Sequence, residues 1–171
     1  SALAKSFPIY FIIIATGIGL GVASTALMAN SIGEGKKNDA SFYLAQSITF
    51  SIFLSIFITL IGLNVSSPIL KLMGSNEENV ILTLKYLNII FLGSIIIFIQ
   101  FAINSSLNAQ GDTKSYRNVL IFSFFLNIFL NPLFIFGYGI IPAMGISGIA
   151  LSTILSQLLG TIYLFFGPDK T

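Results

Sequence analysis

The sequence predicts an all-α membrane protein, a polytopic bundle of five transmembrane helices that form one domain over residues 1–171. Only 8% of the 171 residues are charged and the mean hydropathy is +0.94, whereas a soluble domain carries about 25% charged residues. No charge falls in residues 6–33, 40–70, 86–111 and 118–168. Because one membrane-spanning helix needs about 20 apolar residues, the first three stretches each fit one helix.

The fourth uncharged stretch fits two helices, since Gly137, Gly139, Pro142 and Gly145 interrupt it. Glycine and proline are the strongest breakers of a helical pattern. The chain is therefore expected to form helices at about 8–30, 41–63, 80–107, 117–137 and 146–166.

Polar connectors separate these helices. Ser66-Ser-Pro68 is expected to end the second helix, because proline disfavours a helical residue before it. Ser75-Asn-Glu-Glu78 resembles a capping box that opens the third helix, with acidic residues near its positive end. Gly111-Asp112 predicts the turn before the fourth helix.

The composition excludes several classes of function. The chain has no His, no Cys and no Trp, and its predicted spans hold no Asp, Glu, Lys or Arg at depth. A nucleophile with its base, paired carboxylates and a Cys or His metal site are therefore lacking. A net charge of +2 gives no basic stripe for nucleic acid. We expect no enzyme, no cofactor and no nucleic-acid partner, and the residue types leave a metal site undetermined.

The basic residues predict the orientation in the membrane. Five of them fall on one side if alternate connectors share a side: Lys36, Lys37, Lys114, Arg117 and Lys170. Lys5, Lys71 and Lys85 fall on the other side. Because cytoplasmic loops carry the excess of Lys and Arg, the N-terminus is expected outside and the C-terminus in the cytoplasm. The abundance of Ile, Phe, Asn and Lys is typical of a microbial genome rich in A and T, so the expected location is a microbial plasma membrane.

Polar side chains recur at four-residue spacing inside the predicted spans. The second helix carries Ser47, Ser51, Ser55 and Thr59 on one face, and helix packing explains such a row well, because small hydroxyl residues allow close approach. The third and fifth helices carry amide side chains that are candidates to line a cavity: Gln100, Asn104 and Gln157.

In the fourth helix, the residue types indicate a polar cavity for an ion or solute as strongly as they indicate helix packing. Asn127 and Asn131 lie one turn apart and Pro132 follows directly. Proline donates no hydrogen bond, so the carbonyl group of Ile128 is freed. That carbonyl and the two amides offer hard oxygen ligands to a small cation.

Five stretches in order resemble the multidrug and toxic compound extrusion (MATE) family of transporters. They are Met28-Ala-Asn-Ser-Ile-Gly-Glu-Gly35, Ile69-Leu-Lys-Leu-Met-Gly74 with Tyr86-Leu87, Leu107-Asn-Ala-Gln-Gly-Asp-Thr-Lys114, Asn127-Ile-Phe-Leu-Asn-Pro-Leu-Phe-Ile-Phe-Gly137 and Gly145-Ile-Ser-Gly-Ile-Ala-Leu-Ser-Thr153. The resemblance implies a 12-helix transporter of two six-helix lobes, of which this chain would be helices two to six of the N-terminal lobe. The first helix and the second lobe of the same transporter would be its missing partners.

The resemblance also implies a function and a site. The family exports cationic and amphipathic compounds across the lipid bilayer in exchange for sodium or protons. Its N-lobe cation site matches Asn127, Asn131 and Thr153 here, together with a first-helix aspartate that this chain lacks. Many relatives carry aspartate where this chain has Asn131, and because an amide cannot titrate, proton coupling through that position is in doubt.

Two alternatives stay open. Flippases for lipid-linked oligosaccharides are built in the same way, although their pyrophosphate substrates call for basic residues that these spans lack. A membrane scaffold subunit that carries no solute would also show polar rows, but those rows would enclose no cavity.

Overall fold

The computed structural model describes residues 2–139 and 141–166, and these form five long α-helices. The helices are α1 (Ala2–Gly33), α2 (Lys37–Leu72), α3 (Glu77–Ala109), α4 (Lys114–Phe136) and α5 (Ile146–Phe166). All five are long and apolar enough to cross a membrane. The predicted all-α bundle with five membrane-spanning helices is therefore confirmed.

Four helices differ from their predicted bounds of about 8–30, 41–63, 80–107 and 117–137. The largest difference is at the end of α2, which does not stop at Ser66-Ser-Pro68 but continues to Leu72 with Pro68 inside it. A proline removes one hydrogen bond, whereas ending the helix inside the bilayer would leave several backbone groups unpaired. The cheaper solution is to keep the helix, and α2 does so.

The start of α3 corrects the predicted capping box. The N-cap residue is Asn76, which has an extended backbone, and no side chain caps the helix there. Ser75 thus lies one residue outside the helix, and its buried hydroxyl group has no hydrogen-bond partner. Glu77 and Glu78 do lie in the first turn, where a negative charge is favourable.

Helix α3 is the centre of the bundle. It packs against α1, α2 and α5, while α4 packs mainly against α5 and touches α3 at few positions. Phe98, Leu87 and Ile90 of α3 are fully buried, and they join Ile13 of α1 and Leu70 of α2 in the main apolar core. A helix buried on most of its surface in this way fixes the positions of its neighbours.

The hydroxyl row of α2 faces α1 and α3. Ser47 donates to the Ser24 hydroxyl oxygen of α1 over 2.8 Å. Thr59 donates to the backbone carbonyl oxygen of Phe91 in α3 over 2.7 Å. Hydrogen bonds of this kind hold membrane helices together where the lipid provides no hydrophobic drive. This row serves packing, which is the interpretation that its residue types favoured.

The outer faces of the helices carry large apolar side chains. Phe53 of α2 is 67% exposed and Phe129 of α4 is 72% exposed. In water a surface of this kind would aggregate. It suits contact with lipid hydrocarbon, in agreement with a multi-pass membrane protein.

Candidate functional site

A row of polar contacts joins α4 to α5, and we call it the polar seam. It is formed by Ser123, Asn127 and Asn131 of α4 with Ser152 and Ser156 of α5. The Ser152 hydroxyl group donates to Oδ1 of Asn131. The Ser123 hydroxyl group donates to the backbone carbonyl oxygen of Ser156 over 3.4 Å. The polar face of α4 is therefore turned toward α5 rather than toward lipid.

The two asparagines of the seam use their amide groups differently. Nδ2 of Asn127 donates to the Ser123 carbonyl oxygen over 2.9 Å, and Oδ1 of Asn127 accepts no hydrogen bond within residues 2–139 and 141–166. Oδ1 of Asn131 accepts one hydrogen bond and keeps a second lone pair. Pro132 lies inside α4 and cannot donate to the carbonyl group of Ile128. Two amide oxygens and one backbone carbonyl oxygen with acceptor capacity thus lie within about one turn of α4.

Thr153 lies next to this contact but does not take part in it. Its hydroxyl group donates to the Ile149 carbonyl oxygen of its own helix over 2.9 Å. The hydroxyl group that reaches Asn131 belongs to Ser152. The structure therefore brings Asn131 and Ser152 together and places Thr153 beside them, and a shared cation site of Asn127, Asn131 and Thr153 stays a prediction.

Sequence reasoning did not select Ser152 as a site residue, although a signal was present. Ser152, Ser156 and Gly160 recur every four residues and are buried. Thr153, Gln157 and Thr161 form a second row rotated by about 100° around the helix. Both rows are polar or small, so spacing alone could not tell which one faces α4.

Two glycines bring α4 and α5 close together at the two ends of the seam. A Cβ atom at Gly148 would lie 2.6 Å from the carbonyl carbon and oxygen of Phe134. A Cβ atom at Gly160 would lie 2.5 Å from Cγ1 of Val119. Glycine is required where backbones approach this closely. The two helices are thereby held as a tight antiparallel hairpin with the polar contacts between its ends.

The central helix α3 contributes two buried amide side chains, each with one atom that has no hydrogen-bond partner in the part of the chain that the structure describes. Gln100 is 3% exposed, and its Nε2 has no hydrogen bond. That nitrogen lies near Gly160, 3.1 Å from the position of a Cβ atom there. Asn104 is 9% exposed and its Oδ1 also lacks a partner. Because an unpaired buried polar group costs about 1–3 kcal/mol, such groups are good candidates for contact with a ligand or water.

Asn104 lines a groove of about 460 Å³ between α1 and α3, which we call the α1–α3 groove. Thr25 of α1 bridges the two helices there, since its hydroxyl group lies 3.3 Å from the Ser105 carbonyl oxygen. Gly21, Phe101 and Asn108 also line the groove, and most of its remaining lining residues are apolar. The volume falls in the usual range for ligand sites. Of the three predicted cavity-lining residues, only Asn104 lines this groove.

The other two predicted cavity-lining residues lie elsewhere. Gln100 is directed toward the end of the polar seam near Gly160. Gln157 is half-buried on α5, and its backbone carbonyl oxygen accepts from the Thr161 hydroxyl group. A role in binding stays a prediction for both residues.

The charge around the site is low. Among residues 2–139 and 141–166, no group of three His, Cys, Asp or Glu could hold a metal ion. A cation bound here would be held by amide, hydroxyl and carbonyl oxygens, which are the ligands of hard ions such as sodium.

Asp112 fixes the start of α4 and hence the helix that carries the seam. Its carboxylate accepts from the backbone N–H groups of Lys114 and Ser115, each over 3.0 Å, and from the Ser115 hydroxyl group. These hydrogen bonds, the Ser115 hydroxyl first, lower the pKa of Asp112. The carboxylate lies one residue before the N-cap Thr113 and pairs two of the N–H groups in the first turn, where a negative charge is favourable.

Known proteins resemble this chain over nearly its whole length. A sequence model of the family described as MatE matches residues 1–133. A Bacillus subtilis protein described as probable multidrug resistance protein YoeA is 30% identical over 92% of this chain and 34% of its own length. A protein of Shewanella oneidensis described as an FAD transporter is 28% identical over 93% of this chain and 35% of its own length.

Solved structures of MATE transporters also resemble this chain. The inward-facing conformation of a multidrug resistance MATE family transporter matches with a TM-score of 0.90 and 28% identity. An outward-facing conformation of such a transporter matches with a TM-score of 0.88 and 29% identity. Each covers 99% of this chain and 38% of the solved chain. The chain thus spans little more than a third of the length of the proteins it matches.

Proposed function

Because this chain belongs to the MatE family, whose members are transporters and not enzymes, we propose that it acts as part of a cation-coupled antiporter that exports cationic or amphipathic compounds. The coupling ion is sodium or a proton, and the compounds leave through a microbial plasma membrane. The similarity to multidrug resistance proteins supports export of compounds.

The observation that carries the proposal is the turn of α4 toward α5. Asn127 and Asn131 are half-buried on the polar seam, and both retain an oxygen that can accept another contact. In lipid, polar side chains of this kind are costly and are typical of ion and solute pathways. Their neutral oxygens suit sodium better than a proton, because an amide does not titrate.

The proposed solute site is the α1–α3 groove. Phe101 and Asn104 line it, and Oδ1 of Asn104 is a buried acceptor without a partner, which a rotation of the side chain would present to a solute. An amphipathic cation would place its charged group over the Phe101 ring, where a cation–π contact is worth about 0.5–2 kcal/mol. An N–H group of the same compound would donate to Asn104.

A pyrophosphate-containing substrate fits these residues less well. The FAD transporter and the flippase alternative both call for recognition of phosphate groups, which proteins achieve with Arg and Lys. The stretches 6–33, 40–70, 86–111 and 118–168 contain neither residue. The absence of basic groups in the spans supports a cationic or amphipathic solute instead.

The proposed partners are the remaining parts of a longer transporter. In the resemblance described above, a first helix supplies an aspartate near Asn131, and a second lobe closes the cavity. Similar TM-scores to an inward-facing and an outward-facing transporter, 0.90 and 0.88, support a five-helix unit that keeps its internal arrangement. Such a unit suits alternating access by rocking of two lobes.

The test uses the gene that encodes this chain, with its own flanking sequence, expressed in a bacterial host that lacks efflux pumps. Export of ethidium would be measured in membrane vesicles under an imposed sodium gradient and under an imposed proton gradient. We expect sodium-driven export. Asn131→Ala should reduce it at least tenfold, whereas Ser51→Ala, in the packing row of α2, should reduce it less than twofold. Equal loss in the two variants, or export that ignores both gradients, would contradict the proposal.

A further inference from the structure

A second groove lies on the outer surface of the bundle, between α1 and α2, and we call it the α1–α2 groove. Its volume is about 350 Å³, and its walls include Ile9, Ile13, Ile61, Val65 and Ile69. These residues lie in the first half of α1 and the second half of α2. The groove therefore extends from the middle of the span to the end of the bundle where α1 begins and α2 ends.

The floor of the groove depends on one glycine. A Cβ atom at Gly62 would lie 2.2 Å from the ring of Phe91 in α3. The missing side chain lets the Phe91 ring reach between the two helices and form an apolar floor. The groove is thus shaped by three helices and is not a gap between two loosely packed ones.

The two hydroxyl groups that line the groove are already hydrogen-bonded. Among its lining residues only Thr16 and Ser66 carry hydroxyl groups. Thr16 donates to the Ile12 carbonyl oxygen over 2.7 Å, and Ser66 donates to the Gly62 carbonyl oxygen over 2.6 Å. An apolar groove with satisfied hydroxyl groups does not attract water or a cation. Its chemistry matches a hydrocarbon chain.

A lysine stands at the end of the groove. Lys5 precedes Ile9 by four residues and so lies on the same face of α1, one turn closer to the membrane surface. Its ammonium group donates to the Gly74 carbonyl oxygen over 3.0 Å, which leaves two of its three donors. In the described part of the chain it forms no ion pair, since the single pair there joins Lys36 and Glu34.

We propose that the α1–α2 groove binds an acyl chain of an anionic phospholipid, with the lipid phosphate at Lys5. The occupant is a bilayer lipid because the groove lies between two helices long and apolar enough to span a membrane, has an apolar lining and ends at a positive charge. In this chain, Ile12 and Phe57 beside it are 62% and 61% exposed. The unpaired positive charge at its end selects an anionic headgroup. One lysine near a membrane surface gives about a fivefold preference for anionic lipid.

The chain contains no Trp, so a single introduced tryptophan reports on its own surroundings. Ile61→Trp places the reporter in the groove, and Leu63→Trp places it two residues away on the other side of α2. The two positions are matched, with 45% and 41% exposure and about 3 Å of difference in depth. Each variant would be reconstituted in phosphatidylcholine vesicles that contain a small fraction of brominated phosphatidylglycerol or, separately, of brominated phosphatidylcholine.

In the Ile61→Trp variant, we expect brominated phosphatidylglycerol to quench the fluorescence with about fivefold higher apparent affinity than brominated phosphatidylcholine. In the Leu63→Trp variant, both lipids should quench equally. Adding Lys5→Gln to Ile61→Trp should abolish the preference, and adding Lys5→Arg should keep it. Circular dichroism would show that the variants retain their helices. Equal quenching of the Ile61→Trp variant by the two lipids, or a preference that survives Lys5→Gln, would overturn the proposal.

Discussion

The amide oxygen of Asn131 in α4 accepts a hydrogen bond from the hydroxyl group of Ser152 in α5. The contact lies on the polar face of α4, a helix that packs mainly against α5 and touches α3 at few positions. Any role of Asn127 and Asn131 in cation binding depends on that face lying against α5. The strength of the contact is therefore the first quantity to measure.

A double-mutant cycle of Asn131→Ala and Ser152→Ala should give a coupling energy of about 0.6–1.7 kcal/mol, the range known for hydrogen bonds between membrane helices. The measurement is the free energy of unfolding in mixed micelles at increasing denaturing detergent. Thr161→Ala is the control for Ser152→Ala, because the Thr161 hydroxyl group bonds only within its own helix. Additive effects of Asn131→Ala and Ser152→Ala would contradict the direct contact.

Gly160→Ala should destabilise the protein by about 1–3 kcal/mol, the usual cost of overpacking. The added methyl group would meet Cγ1 of Val119 at 2.5 Å and Nε2 of Gln100 at 3.1 Å. Val119→Ala removes the closer atom and should therefore restore part of the loss in the double variant. Thermal unfolding in detergent measures both effects.

The control for this pair is Gly19→Ala, because no atom lies within 4 Å of a Cβ atom there. It should leave the unfolding temperature unchanged or raise it slightly, since alanine favours helix. If Val119→Ala fails to improve the Gly160→Ala variant, the two helices do not meet as described.

Asp112→Asn should lower stability at pH 7 and have little effect at pH 3. The pKa of Asp112 is lowered in the folded protein, so the ionised carboxylate stabilises the folded state at pH values above its unfolded pKa of about 3.9. That contribution is lost as the pH falls through the lower, folded pKa. Unfolding temperatures of both proteins at pH 7 and at pH 3 would measure the difference.

Asp39→Asn provides the comparison, because Asp39 lies in the first turn of α2 without a hydrogen bond among the described residues. It should show a smaller effect at pH 7. A difference between the wild type and Asp112→Asn that is the same at both pH values would indicate that charge is not the cause.

Single cysteines test the predicted orientation, and residues 1–171 contain none that would interfere. A cysteine at position 36 or 114 should be shielded in intact cells from a reagent that does not cross membranes, and one at position 76 should react. The reason is the excess of Lys and Arg around the first two positions. Lys170, which also entered that argument, lies outside the described residues. The opposite labelling pattern would reverse the orientation.

The 171 residues alone should not move cationic dyes in liposomes under a sodium or proton gradient. Alternating access requires two bundles around a common site, and this chain spans little more than a third of the transporters it matches. The half-buried polar groups of α4 that keep acceptor capacity, such as the side-chain oxygens of Asn127 and Asn131, should instead drive self-association, visible as oligomers in detergent. Gradient-dependent dye movement by this chain alone would show that five helices suffice.

Membrane physics explains why the number and order of the helices could be predicted. Charges are excluded from the bilayer interior, so uncharged runs such as 40–70 and 86–111 mark the spans directly. The ends of the helices were harder to predict. Unpaired backbone groups are costly in the bilayer, so α2 continues through Pro68 although proline usually ends a helix. The one-residue displacement of the α3 N-cap from Ser75 to Asn76 depends on local backbone geometry that the capping pattern does not fix.

The candidate site, too, was predicted from the sequence only in part. The row of Asn127 and Asn131 is evident in the sequence because polar residues at four-residue spacing share one face of a helix. The sequence did not show which face of α5 this row contacts, because α5 carries two polar rows that suit the contact equally well. The structure selects Ser152 over Thr153 because Gly148 and Gly160, on the side of Ser152, let the two backbones approach.

The sequence by itself determined a five-span helical membrane bundle of a transporter family and the polar face of α4, because helix periodicity and the exclusion of charge from lipid act locally along the chain. Only the tertiary structure decided which polar groups are paired and which remain free. Thr59 is satisfied by the Phe91 carbonyl group, whereas Gln100 and Asn104 each keep an unpaired atom. That outcome depends on distances between helices, which are set by side-chain volumes such as the missing Cβ atoms at Gly62 and Gly160.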